Sequence, residues 1–81
     1  NFQKTSLLKA NFQGANLREA DLKGANLYYV KFGGANLERA DLRGANLQGA
    51  NFQGANLKGA KIDSDDIKIA RTSGAIGLDN R

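Results

Sequence analysis

From Phe2 to Ile67 a large apolar residue returns at every fifth position. The series is Phe2, Leu7, Phe12, Leu17, Leu22, Leu27, Phe32, Leu37, Leu42, Leu47, Phe52, Leu57, Ile62 and Ile67. A five-residue period limits the fold severely, because neither regular structure keeps it on one face. Along an α-helix five residues turn the side chain by about 140°, so these centres would spiral over every face. Gly14, Gly24, Gly34, Gly44, Gly49, Gly54 and Gly59 would also each cost about 1 kcal/mol in a helix interior. In a straight strand five is odd, and successive centres would point to opposite faces. What fits is a short extended segment followed by a corner, repeated so that every centre points inward.

The other positions of the repeat support this reading. Two residues before the centre, Ala fills ten of thirteen sites from 5 to 65, with Thr5, Val30 and Asp65 as the exceptions. That residue shares a face with the centre, so small Ala lets opposite walls approach while Leu and Phe fill the axis. The position just before the centre is usually Asn or Asp, which bond nearby backbone in turns. Gly is common two residues after the centre and suits a corner of positive φ. Glu19, Tyr29 and Arg39 occupy that same position, so not every corner can require glycine.

A second period closes the lap. Phe12, Phe32 and Phe52 are twenty residues apart, as are Asp21 and Asp41, and Asn16, Asn36 and Asn56. Twenty residues are four units, which predicts a four-sided coil with like residues stacked on successive laps. A column of Phe rings needs rings above and below it to keep packing dense. The ends of such a rod are its weak points, because terminal laps expose unpaired backbone and apolar interior unless capped.

The pattern A-[N/D]-[L/F]-x-x, seen in "GANLREADLKGANL" and "GANLERADLRGANL", resembles the pentapeptide repeat family. The resemblance covers residues 1–69 and implies an all-β fold, a right-handed quadrilateral β-helix of about four coils. It leaves residues 70–81 as a C-terminal cap or a frayed tail. Departures are Val30 and Lys31, Lys61, and loss of the pattern after Ile67.

Composition removes several functions. With no Cys and no His, there is no disulfide, no thiolate metal site and no imidazole base. No GxSxG and no phosphate loop ending in GK[S/T] is present. The acidic run "DSDD" does not complete a calcium loop, which counted from Asp63 would need Gly and Glu where Lys68 and Gly74 stand. A filled rod also lacks the cleft that paired carboxylates need. The sequence therefore predicts no enzyme, no catalytic residue, no cofactor and no metal. No apolar run approaches the roughly 20 residues of a membrane span. A first residue other than Met is expected of a processed product or an excised piece.

Contact is the function left. Arg18, Glu38 and Lys58 with Glu19 and Arg39 form a checkerboard expected to pair as ion ladders; Asp21 and Asp41 lie beside Lys23 and Arg43 in a balanced arrangement. A third side, with Gly14, Gly33, Gly34 and Gly54, is nearly bare. The remaining side carries Leu8, Tyr28 and Tyr29, the only large apolar side chains at variable positions before the tail. These three are the candidate interaction patch, for another protein or for a second copy; uncapped coil ends are the other route to a homo-oligomer. Nucleic-acid or anionic-surface binding is the alternative, resting on the net charge of +4 and the two Tyr. It is disfavoured because a phosphate track needs a stripe of one sign. The resemblance adds a third reading, since some family members mimic DNA and bind DNA gyrase. That requires a strongly acidic rod, and this one is basic.

Overall fold

A computed structural model describes residues 6–72 and 74–77; Phe2 and Thr5 of the repeat series lie outside the described residues. The register is uniform. Isolated parallel bridges join Ser6 to Asn26, Asn11 to Lys31, Asn16 to Asn36, Asp21 to Asp41, and so on to Asp41 with Lys61, every pair twenty residues apart. Pairing is confined to single residues, because a corner interrupts each extended segment before a longer strand forms. Each bridging residue turns both its backbone groups toward the preceding lap. The Lys31 N–H donates to the Ala10 carbonyl at 2.9 Å, and the Lys31 carbonyl accepts from the Phe12 N–H at 2.7 Å. Two residues on, the Gly33 carbonyl accepts from Gly14 N–H at 2.9 Å. No helix precedes residue 64 among the described residues.

The corners explain two positions of the repeat. The N–H of the residue three after each centre donates back to the centre's carbonyl, as Ala15 does to Phe12 at 2.9 Å. This closes a four-residue turn with positive φ at its third residue, the type II arrangement. Every corner from Lys9 to Gly59 adopts it, including the non-glycine residues Lys9, Glu19, Tyr29 and Arg39 at φ 56–62°. Glycine is thus optional while the left-handed conformation is not, and the side chains at these four corners bear some backbone strain. The Asn or Asp before the centre satisfies the one N–H that the ladder misses. Asn11 Oδ1 accepts from Gln13 N–H at 2.9 Å, and Asn36 and Asn56 Oδ1 accept from Glu38 and Lys58 at 3.0 Å. Lys31 and Lys61, which replace Asn or Asp at this position, carry no such oxygen.

Inside, the alternation of small and large residues fills the coil. Leu22, Leu27, Phe32, Leu37, Leu42, Phe52 and Leu57 are wholly buried, with Ala25, Ala40 and Ala55 as the thin wall positions between them. Val30, the departure from Ala, is buried as well. The Phe rings stack along the axis: Phe12 on Phe32 with centroids 5.7 Å apart, and Phe32 on Phe52 at 5.1 Å. Interplanar angles of 11° and 14° follow from the lap spacing, which sets successive rings about 5 Å apart. Among the described residues no polar or charged side chain is buried.

After Ile62 the chain leaves the coil for helix α1, Ser64–Thr72. Asp63 manages the departure. Its carboxylate accepts the Gly44 N–H at 2.8 Å, a place the backbone carbonyl fills one lap earlier, where Gly24 N–H donates to Arg43 at 3.0 Å. The freed Asp63 carbonyl instead accepts from Asp66 N–H at 2.9 Å and opens the helix. Asp65 and Asp66 in the first turn suit the positive end of the helix dipole. Burial holds the Asp66 carboxyl above its ordinary range, with Asp63 and Asp65 adding to the shift. Ala70 is buried and Ile69 packs on the core. The chain then rejoins the coil: Ile76 bridges Asn56, donates to Ala55 at 2.8 Å and accepts from Leu57 at 2.8 Å. That pairing again spans twenty residues, so the helix stands in for about two sides of a lap without breaking register. The sequence alone shows the pattern lost after Ile67; the backbone recovers it.

Burial differs along the described coil. Leu47, Phe52 and Leu57 are sealed, whereas Leu7, Ala10, Phe12, Ala15 and Ala20 are only half-buried.

Candidate contact surface

Leu8, Tyr28 and Tyr29 sit at corners of one side of the coil, on adjacent laps. The Ser6–Asn26 bridge and the Lys9 N–H to Tyr28 carbonyl bond at 2.9 Å set Leu8 directly below Tyr28 in the column. Leu8 is 50% exposed and Tyr29 53% exposed, with Tyr28 half-buried. The Tyr rings meet edge to face, centroids 4.5 Å apart and planes at 83°, the arrangement aromatic quadrupoles favour.

A residue the sequence reading did not single out supports this patch. Gly49 lies one lap beyond Tyr29, and a Cβ built there would fall 2.8 Å from the Tyr29 ring. The ring therefore lies over the bare backbone of Gly49, while the side chain as a whole stays half exposed. The signal was present in the twenty-residue spacing of Tyr29 and Gly49. Ile76, on the returning segment, is a further exposed apolar side chain at 55%.

The charged sides look inward to their own partners. Arg39 Nε pairs with Glu19 Oε2 at 3.3 Å, both side chains exposed, one rung of the expected ladder. Arg18, Glu38 and Lys58 form no ion pair among the described residues, a correction to the expected checkerboard. Freezing two long exposed side chains costs entropy that a screened surface pair scarcely offsets. Arg43 grips Asp41 with two bonds, Nε to Oδ1 at 2.9 Å and Nη2 to Oδ2 at 2.7 Å. That grip holds the Asp41 carboxyl at about 2, against burial, with the Arg43 N–H, the Arg43 charge and Lys23 helping. The Arg43 guanidinium is pushed up in return. On these two sides acids and bases thus stand together and form no stripe of one sign.

With the geometry in place, the comparisons with known proteins fix the class. The family model for pentapeptide repeats matches residues 1–28 and 25–62, in eight copies. The chain belongs to the pentapeptide repeat family. Two solved structures resemble it. One is a pentapeptide repeat protein of the Arabidopsis thaliana thylakoid lumen, 35% identical over 79% of this chain and 51% of that one, with TM-score 0.65. The other is Rfr23 of the cyanobacterium Cyanothece 51142, 35% identical over 76% of this chain and 52% of that one, with TM-score 0.52. The chain spans about half the length of each. No curated protein matches it. Family members form right-handed β-helices and are generally non-enzymatic repeat proteins. Among the described residues no helix is long and apolar enough to cross a membrane.

Proposed function

We propose that this chain is a non-enzymatic scaffold, a right-handed quadrilateral β-helix of about four coils that works by protein contact. The side carrying Leu8, Tyr28 and Tyr29 is the contact surface, and the partner is another protein. One observation carries this reading: two of the three exposed large apolar side chains among the described residues, Leu8 and Tyr29, stand on that side, and the two Tyr rings are already fixed edge to face. Tyr held in place loses little side-chain entropy on binding, and its hydroxyl keeps a bond at the rim, which is why it concentrates at interface centres. Phosphate backbones are poorer partners, because acids interrupt the basic residues on the charged sides.

The test is a double substitution, Tyr28→Ala with Tyr29→Ala. Partners retained by the immobilised chain are purified and titrated singly against both forms. The expected result is an affinity loss of tenfold or more, about 1.4 kcal/mol, with the circular dichroism spectrum unchanged. Purified partners that bind both forms equally would show that the rings serve only to cover Gly49.

A further inference from the structure

Resting on the contact surface proposed above, we infer that its occupant is an acidic protein segment with apolar side chains, held by Lys9 and Lys31 beside the Tyr rings. The two sides of the coil that meet at Tyr29 comprise residues 6–15, 26–35 and 46–55. These stretches hold two Lys and no Asp or Glu. The other two sides carry Glu19, Asp21, Glu38 and Asp41 among their basic residues. Asp65 and Asp66 open α1, beyond the lap of Asn46 and Gln48.

The left-handed corners sharpen the contrast. The four non-glycine residues of positive φ fall in two columns. In one, Glu19 and Arg39 pair with each other at 3.3 Å. In the other, Lys9 stands one lap before Tyr29, and its N–H bonds the Tyr28 carbonyl at 2.9 Å. No acid stands in the columns on either side, which hold Leu8, Tyr28 and Gln48, and Asn11, Lys31 and Asn51. Lys9 and Lys31 are exposed and form no ion pair among the described residues. Two cationic residues thus border the aromatic pair with no anion of this chain to answer them.

The neutral side chains add donors to these charges. Asn11, Asn26, Asn46 and Asn51 each give Oδ1 to the N–H two residues on, at 2.9–3.2 Å. Only the amide oxygen accepts an N–H, so Nδ2 with its two protons is the group left over. Asn46 directs its Nδ2 to Asn26 Oδ1 at 3.5 Å, still with a second proton to donate. Asp21 and Asp41 accept from Lys23 and Arg43 in the same way, but what they leave over is a charged oxygen. The two acid-free sides therefore offer donors and positive charge around an apolar centre. Carboxylates accept from ammonium and amide N–H alike, and an apolar residue beside them buries against Leu8 and the Tyr rings. A phosphate backbone fits less well, because counterion release needs more cations than these two.

A capped peptide of sequence Asp-Glu-Leu-Glu-Asp-Leu-Glu-Asp, titrated into the labelled chain and followed by amide chemical shifts, tests this. Shifts should gather at Lys9, Tyr28, Tyr29 and Lys31, and binding should weaken severalfold between about 20 and 200 mM salt. The isostere with Asn and Gln for Asp and Glu should bind about tenfold more weakly. Lys9→Gln with Lys31→Gln should weaken the acidic peptide about fivefold. Arg18→Gln with Lys58→Gln, an equal loss of charge from another side, should leave binding unchanged. No binding up to about 1 mM peptide, equal binding of the isostere, or shifts gathered at Arg18 and Lys58 each overturns the inference. So does a Lys9→Gln, Lys31→Gln chain that binds as the parent does, or a DNA single strand of equal charge that binds more tightly at the same residues. The contact surface itself is judged separately, on purified partners. Partners that lose affinity for Tyr28→Ala, Tyr29→Ala but not for Lys9→Gln, Lys31→Gln keep the patch and discard the acidic occupant; partners indifferent to both pairs discard both.

Discussion

Phe32→Ala should lower the unfolding free energy by roughly 3–5 kcal/mol, the range for deleting a fully buried ring. Phe32 has no exposed surface and stacks on both sides, on Phe12 at 5.7 Å and Phe52 at 5.1 Å. Removing it leaves a gap in the middle of a column whose width is fixed by the ladder bonds of Phe32, Gly34 and Ala35 to neighbouring segments. The walls cannot collapse without breaking those bonds, so the cavity persists and the cost lies toward the upper end. Phe12→Ala should cost less, because Phe12 is only half-buried. Urea denaturation of the three proteins checks the order. Equal midpoints for Phe32→Ala and the parent would place the ring outside the core.

The second large effect is expected from too much volume. Ala35 is 1% exposed, and its N–H bonds the Phe32 carbonyl at 2.9 Å to close a corner. Ala35→Leu inserts three carbons between Phe32 and the next side of the coil. Overpacking of this kind typically costs 1–3 kcal/mol, and here relief by backbone movement is blocked by the adjoining bond from Asn56 N–H to the Ala35 carbonyl at 2.9 Å. Val30 shows that one wall position takes a β-branched residue, so Ala35→Val should be milder. The melting temperature should fall in the order Ala, Val, Leu. A Leu variant as stable as the parent would mean that the wall positions face outward.

Much of the coil is legible in the sequence because it is written in side-chain size. Ala, the centre and the twenty-residue Phe column record which atoms meet, and the bridges and ring stacks follow them. The Asn and Asp positions are legible too, since their chemistry is local to two residues. Three things are not. The left-handed corners at Glu19, Tyr29 and Arg39 contradict what those residue types prefer alone, and the register imposes them. Helix α1 is nine residues long, too short to be stable by propensity. Its Ile67 continues the five-residue phase, and packing of Ala70 and Ile69 on the coil decides in favour of helix. The return at Ile76 is hidden because Ile stands at an Asn position and Gly77 at a centre. As for the patch, Leu8, Tyr28 and Tyr29 can be placed on one side by counting. That the Tyr29 ring rests on Gly49 needs the tilt of the side chain, which counting does not supply.

The four-sided register is the claim on which the rest depends, and proton–proton contacts in solution test it most directly. With the Phe rings selectively labelled, nuclear Overhauser spectroscopy should show Phe32 ring protons in contact with both Phe12 and Phe52. The centroid separations of 5.1 and 5.7 Å place ring protons within range. Contacts from Phe32 to both rings are the predicted result. Contacts of Phe32 with neither, or with centres fifteen or twenty-five residues away, would contradict the four-sided coil.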